Sequence, residues 1–222
     1  MVISFVQSTS ETATVGTVSG TFASTPGENN LAVIGLASIG GTVDGTVIGY
    51  NSAVLGTFGV AGLHRISLWY KVAGVGESAV VTAIGTAASG TANRMDIHMF
   101  EVSGNVTTSP LDVVGNQADP GSTVSSLSTG TTAVTAQANE ISFGLIGLGG
   151  LSGGGTAWTN SFGGGFDTAR CLSAYVVETA TGIKESTASW TTARRAGGVI
   201  ATFKAMGETV TVGDISLLGV GV

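Results

Sequence analysis

A chain of 222 residues carries 36 glycines, 43% hydrophobic and only 10% charged positions, with a net charge of −6 from 14 acidic and 8 basic side chains. Ordinary soluble domains are about 25% charged, so this surface falls to Thr, Ser, Ala, Asn and Gly, and the acidic balance, with no basic run beyond Arg194–Arg195, argues against nucleic acid as a partner. The longest uncharged run, 141–166, is too rich in Gly, Ser and Thr to supply the roughly 20 apolar residues of a membrane-spanning helix.

Glycine inside a strand or helix costs about 0.5–1 kcal/mol relative to alanine. Thirty-six such penalties would exceed the roughly 5–15 kcal/mol stability of a whole domain. The glycines are therefore expected mostly in turns, at bulges and where another backbone comes close. They divide the chain into short runs rich in Val, Ile, Thr and aromatics. In chain order these are 3–8, 12–18, 31–38, 46–50, 63–73, 78–85 and 95–104, then 111–114, 140–148, 171–180, 185–192, 198–205 and 208–218. Such spacing predicts an all-β fold, an antiparallel β-sandwich of jelly-roll-like form with very little helix. The best helical candidate, 191–196, is barely one turn.

Alternation is clearest over 64–72, where Ile66, Leu68, Tyr70 and Val72 share one face and Arg65, Ser67, Trp69 and Lys71 the other. One face is predicted to enter the core and the other to look outward. Residues 140–148 are apolar on both faces, as for a strand covered from two sides by a loop or a neighbouring subunit. Residues 115–138 are polar and almost uncharged, with a turn signal at Asp119-Pro120-Gly121, and read as a long connection carrying one edge strand. The glycine-rich stretch 147–166 holds Trp158, Phe162 and Phe166, which either form a contact surface or anchor the loop inward. These features place a sandwich domain over 1–206 and a C-terminal extension over 207–222. The extension's apolar end, including Leu217 and Leu218, suggests an added strand or a partner-docking arm.

Chemical motifs are sparse. Gly150-Leu151-Ser152-Gly153-Gly154 fits a nucleophile elbow literally, but the residues that follow do not favour a helix and both histidines, His64 and His98, lie upstream. Neither histidine has a second one at i+2 or i+4 to begin a zinc site. Asp112, Asn116 and Asp119 are close enough along the chain to hold calcium through oxygen, but their spacing fits Asx-turns better. Cys171 is the sole cysteine, which excludes an internal disulfide, and its strand setting suggests a small buried hydrophobe. The amino terminus lacks a basic n-region and a cleavage pattern, so synthesis in a cytosol without export is expected. No enzyme activity and no cofactor are expected.

Four stretches resemble a β-sandwich domain that recurs in tailed-bacteriophage virion proteins such as minor tail proteins, fibres and head decorations. They are SLWYKVAGVGESAVVTA from Ser67, MFEVSGNVTTSPLDVVG from Met99, ANEISFGL from Ala138 and ASWTTARRAGGVIATFKA from Ala188. The likeness spans roughly residues 2–205 and carries no catalytic motif. It implies a structural protein of the virion, on head or tail, that meets other virion proteins and copies of itself as a homo-oligomer. A rival reading is a lectin-like module on a fibre or tail that binds host surface glycan, with Trp158, Trp190 or Trp69 stacking on sugar rings. Candidate contact residues are Trp158, Phe162, Phe166, Trp69, Leu217 and Leu218.

Overall fold

The computed structural model describes residues 3–14, 16–40, 45–60, 63–85, 94–168 and 170–206; Leu217, Leu218 and the proposed arm lie outside these. The strands are β1 (Ser4–Ala13), β2 (Thr17–Thr21), β3 (Leu31–Ile39), β4 (Thr46–Val47), β5 (Asn51–Phe58), β6 (His64–Val72), β7 (Val80–Ile84) and β8 (Arg94–Ser103). They continue as β9 (Leu111–Gln117), β10 (Val124–Ser128), β11 (Glu140–Leu148), β12 (Ala157–Trp158), β13 (Cys171–Glu178), β14 (Thr187–Arg194) and β15 (Ala196–Lys204). No α-helix occurs among the described residues, and 191–196 ends one strand and begins the next.

The protein is an all-β antiparallel sandwich. A five-stranded sheet, β1-β8-β3-β6-β5, packs face to face on a four-stranded sheet, β13-β11-β15-β9. Their shared core holds Val33, Ile66, Leu68 and Phe100 from the first sheet and Phe143, Leu145, Val199 and Phe203 from the second. Because side chains alternate along a strand, every second residue of β3 faces the other way. Ala32, Ile34 and Leu36 lie under a small sheet, β2-β7-β4, together with Met95, Ile97 and Met99 of β8. On the far side, Ile146, Leu148 and Leu172 lie under a second cover, β10-β14-β12, against Leu127, Ala188 and Trp190. The β-layers therefore stack four deep, two central sheets each with a cover.

This stacking explains the two-faced apolar runs. Both β3 and β11 are buried at every position. The cover over β11 comes from the same chain: the β10-β14-β12 sheet lies over one part, and Thr129 and the loop residue Phe162 join it over Gly144. The outward face of β6 is also partly covered, with Ser67 buried and Trp69 half-buried beside the cluster under the small sheet. Glycine is not confined to turns either. Gly35 and Gly147 sit within strands facing the central core, where an added Cβ would come 2.7 Å from Leu145 Cδ1 and 2.7 Å from the Phe58 ring. Omitting those side chains lets the two sheets approach.

Candidate functional site

The glycine-rich stretch after β11 folds back over the edge of the four-stranded sheet. Gly163 and Tyr175 exchange two backbone hydrogen bonds of 3.0 Å, and Ser173 N donates to Phe166 O at 2.9 Å. The segment thus runs beside β13 and covers its exposed edge, the position where a sheet is most open to unwanted pairing. Gly165 is required here, because an added Cβ would collide with the Ser173 carbonyl.

A cavity of about 230 Å³ lies between this segment and β12, lined by Thr156, Trp158, Gly163, Gly164, Gly165, Phe166, Asp167, Ser173 and Ala174. The structure brings Trp158, Phe162 and Phe166 to this one region. Trp158 is half-buried and stacks on Phe162 with ring centroids 6.2 Å apart and planes 20° apart. Phe162 is buried beneath it and packs with Ala174 and Ile200, so it anchors rather than contacts. Phe166 lines the cavity while reaching inward to Phe100 and His98, with centroids at 5.6 and 5.4 Å. Trp69 stands elsewhere, in the cluster under the small sheet, with its indole N–H donating to Ser67 Oγ at 2.8 Å. Trp190 is buried in the cluster under the second cover, out of reach of a sugar ring.

Asp167 supplies the cavity's charge. Its carboxylate accepts from the Thr156 hydroxyl and, at 3.4 Å, from the Ser152 hydroxyl. Ser152, the residue at the elbow-like motif, is buried, and its Oγ also accepts from Gly154 N at 3.1 Å. No helix follows it, and its partners are a carboxylate and a backbone amide.

Beneath the cavity a polar chain crosses the core. Arg94 Nε donates to Asp96 Oδ1 at 3.0 Å, Thr168 Oγ1 donates to Asp96 Oδ2 at 3.3 Å, and His98 bonds Thr168 Oγ1 at 2.9 Å and Ser173 Oγ at 2.8 Å. A serine hydroxyl on an imidazole resembles a nucleophile and its base. Yet complete burial pushes the His98 imidazole down to about 3, whereas an effective general base titrates near the working pH. Ser173 is only 3% exposed and already accepts the Phe166 N–H at 3.1 Å. The arrangement therefore fits a structural network that satisfies buried polar groups. Nothing in the residue types announces it, because the His98–Ser173 contact joins positions 75 apart.

The remaining sequence candidates are scattered. His64 and His98 lie on strands separated by β3, and His64 Nδ1 accepts from Gly40 N at 2.9 Å. Burial lowers the His64 pKa. Asp119 makes an Asx-turn, accepting from Gly121 N at 2.9 Å, and also pairs with Arg195 at 3.1 Å. Asp112 instead accepts from Ala136 N at 2.7 Å, so these carboxylates do not converge. Cys171 is fully buried, and burial raises its thiol pKa well above the ordinary value. Among the described residues no group of three His, Cys, Asp or Glu side chains is placed to hold a metal, and no helix is long and apolar enough to cross a membrane.

Comparison with family models, curated proteins and solved structures finds no match to this chain.

Proposed function

We propose that this chain is a non-enzymatic structural subunit of a tailed-phage particle, a β-sandwich carried on head or tail that works through contacts with other particle proteins and with copies of itself. The phage setting rests on the sequence resemblance. The observation that carries assembly as the mode of action is the outer face of the small sheet. Thr17, Ser19 and Thr21 of β2 and Val80, Thr82 and Ile84 of β7 share that face, with Ile48 beside them, and none is charged. Ile48, Val80 and Ile84 are 55%, 52% and 47% exposed. A flat sheet face without charge is weakly solvated and suits burial against a partner. A chain of this composition matches a subunit that gains stability from its neighbours.

The test is uptake of the purified chain by phage particles assembled without it, measured by co-sedimentation. Wild-type chain should sediment with the particles, and a Val80→Glu/Ile84→Lys double variant should lose uptake about tenfold or more while its thermal unfolding stays near wild type. A folded chain that ignores the particles, or one that releases product from host polysaccharide, would sink this reading.

A further inference from the structure

The structure assigns a second role to the cavity beside Trp158: we infer that it is a binding subsite for one neutral pyranose ring of a glycan. This goes beyond the assembly reading and does not depend on it. The first argument is size. A cavity of about 230 Å³ equals the space of seven or eight waters at roughly 30 Å³ each. That suffices for one substituted six-membered ring and falls below the roughly 300–1,000 Å³ of sites for larger organic ligands.

The second argument is chemical. Trp158 and Phe166 give the cavity apolar walls, and Thr156 and Asp167 give it a hydroxyl and a carboxylate. A pyranose has the same division, with C–H faces that lie on aromatic rings and hydroxyls that donate to carboxylates. Asp167 is well placed for the latter role. The bonds from Thr156 and Ser152 hold this carboxylate in a fixed orientation at the exposed side of the cavity.

The third argument comes from Gly163. Its two glycine neighbours are explained by close approach, since added Cβ atoms would meet the Tyr175 ring and the Ser173 carbonyl. Gly163 is different: a Cβ there would meet nothing within 4 Å. Neither packing nor a left-handed backbone demands glycine at this position, yet it lines the cavity. Glycine there leaves this part of the cavity's lining without a side chain.

A single ring held in this way would bind weakly, with Kd on the order of 1 mM, and several copies on one particle would raise the avidity. Saturation-transfer NMR on the purified chain tests the assignment, with methyl β-glucopyranoside, methyl β-galactopyranoside and N-acetylglucosamine as probes and tetramethylammonium as a cationic control. Transfer should reach the ring protons of at least one sugar and be lost in Gly163→Leu, a variant whose unfolding temperature should stay near wild type. Asp167→Asn should weaken it about tenfold. Trp158→Ala should abolish it, and if that variant misfolds the other two carry the test. No transfer from any of the three sugars would overturn the proposal, as would undiminished transfer in a folded Gly163→Leu or transfer from tetramethylammonium alone. Particle uptake is read separately, so failure here leaves the assembly reading standing.

Discussion

Over the five-stranded sheet the cover is mainly apolar: Val18, Val47, Val81 and Ala83 lie on Ala32, Ile34, Leu36, Met95, Ile97 and Met99, with buried Ser38 and Ser67 beside them and buried Glu101 at one end accepting from Gly27 N and Asn30 Nδ2. Over the four-stranded sheet the cover is apolar at one end only, where Ile146, Leu148 and Trp190 meet. At the other end buried Glu140, Ser142, Lys184 and Thr202 and half-buried Glu178 share the space with three buried threonines, Thr129, Thr132 and Thr135. Burial of apolar area holds the first cover without direction, whereas hydrogen bonds hold part of the second and fix its position. The first should tolerate small shifts; the second should not.

Glycines at the two seams make this contrast measurable, and the largest effect is expected there. An added Cβ at Gly198 of β15 would collide with the Ser128 carbonyl, a backbone atom of the polar cover. At Gly20 of β2 the collision is with Met99 Sδ, part of a flexible side chain that can change rotamer. Gly198→Ala should therefore cost about 3 kcal/mol and Gly20→Ala about 1 kcal/mol, read from the midpoints of urea unfolding. Equal costs would mean that the two covers yield alike.

The second effect lies in pH dependence, where two buried groups oppose each other. Burial, with the Asp112 carboxylate nearby, pushes Glu140 up to about 7, so the folded state holds its proton more tightly than the unfolded chain does. That contribution is full below about 4.5 and is lost as pH rises through 7. His98, pushed down to about 3 by burial, behaves in the opposite way, contributing fully above about 6.5 and losing stability as pH falls toward 3. Each changes stability by about 2 kcal/mol between pH 7 and pH 5, with opposite signs. Relative to the wild-type profile, Glu140→Gln should lose about 2 kcal/mol over that fall in pH, and His98→Asn should gain about as much. Parallel profiles for all three proteins would show that neither group is desolvated as its position implies.

The more apolar half of the molecule was more readable from sequence than the polar half. The cores of β3, β6, β8, β11, β13 and β15 announce themselves as apolar runs, because long-range burial leaves a local pattern. Strand β5 is not legible as one, since it opens on polar Asn51 and Ser52 and Gly56 interrupts its inward face between Val54 and Phe58. The covers are a different case: their strands are largely legible as runs at 12–18, 46–50, 78–85 and 185–192, but their assembly into covering sheets is not. A run such as 140–148 reports that both its faces are buried but not by what, and pairing among β10, β12 and β14 is decided by tertiary contact. At the candidate site the loop aromatics were recognisable, whereas Asp167, Thr156 and Ser173 become neighbours only when the loop folds back on β13.

The smallest effect concerns the threonines, whose spacing of three was present in the sequence without carrying an evident meaning. Each of Thr129, Thr132 and Thr135 donates its backbone N–H to the carbonyl of Ser186, Lys184 or Gly182, at 2.8, 3.0 and 3.1 Å. Each hydroxyl then accepts the N–H of that same residue, at 3.1, 2.9 and 3.1 Å. The hydroxyl stands in for the carbonyl of a neighbouring strand, so a connection without regular pairing still satisfies the backbone beside it. Replacing Thr132 by Val keeps the shape and leaves the Lys184 N–H buried without that acceptor, which should cost about 1–2 kcal/mol. Thr132→Ser retains the hydroxyl and should recover most of this in the same unfolding measurement, while hydrogen exchange at the Lys184 amide should quicken in the Val variant alone. Equal losses for Ser and Val would assign the role of Thr132 to its methyl group, and the polar end of the cover would then be held by packing, as the more apolar cover mainly is.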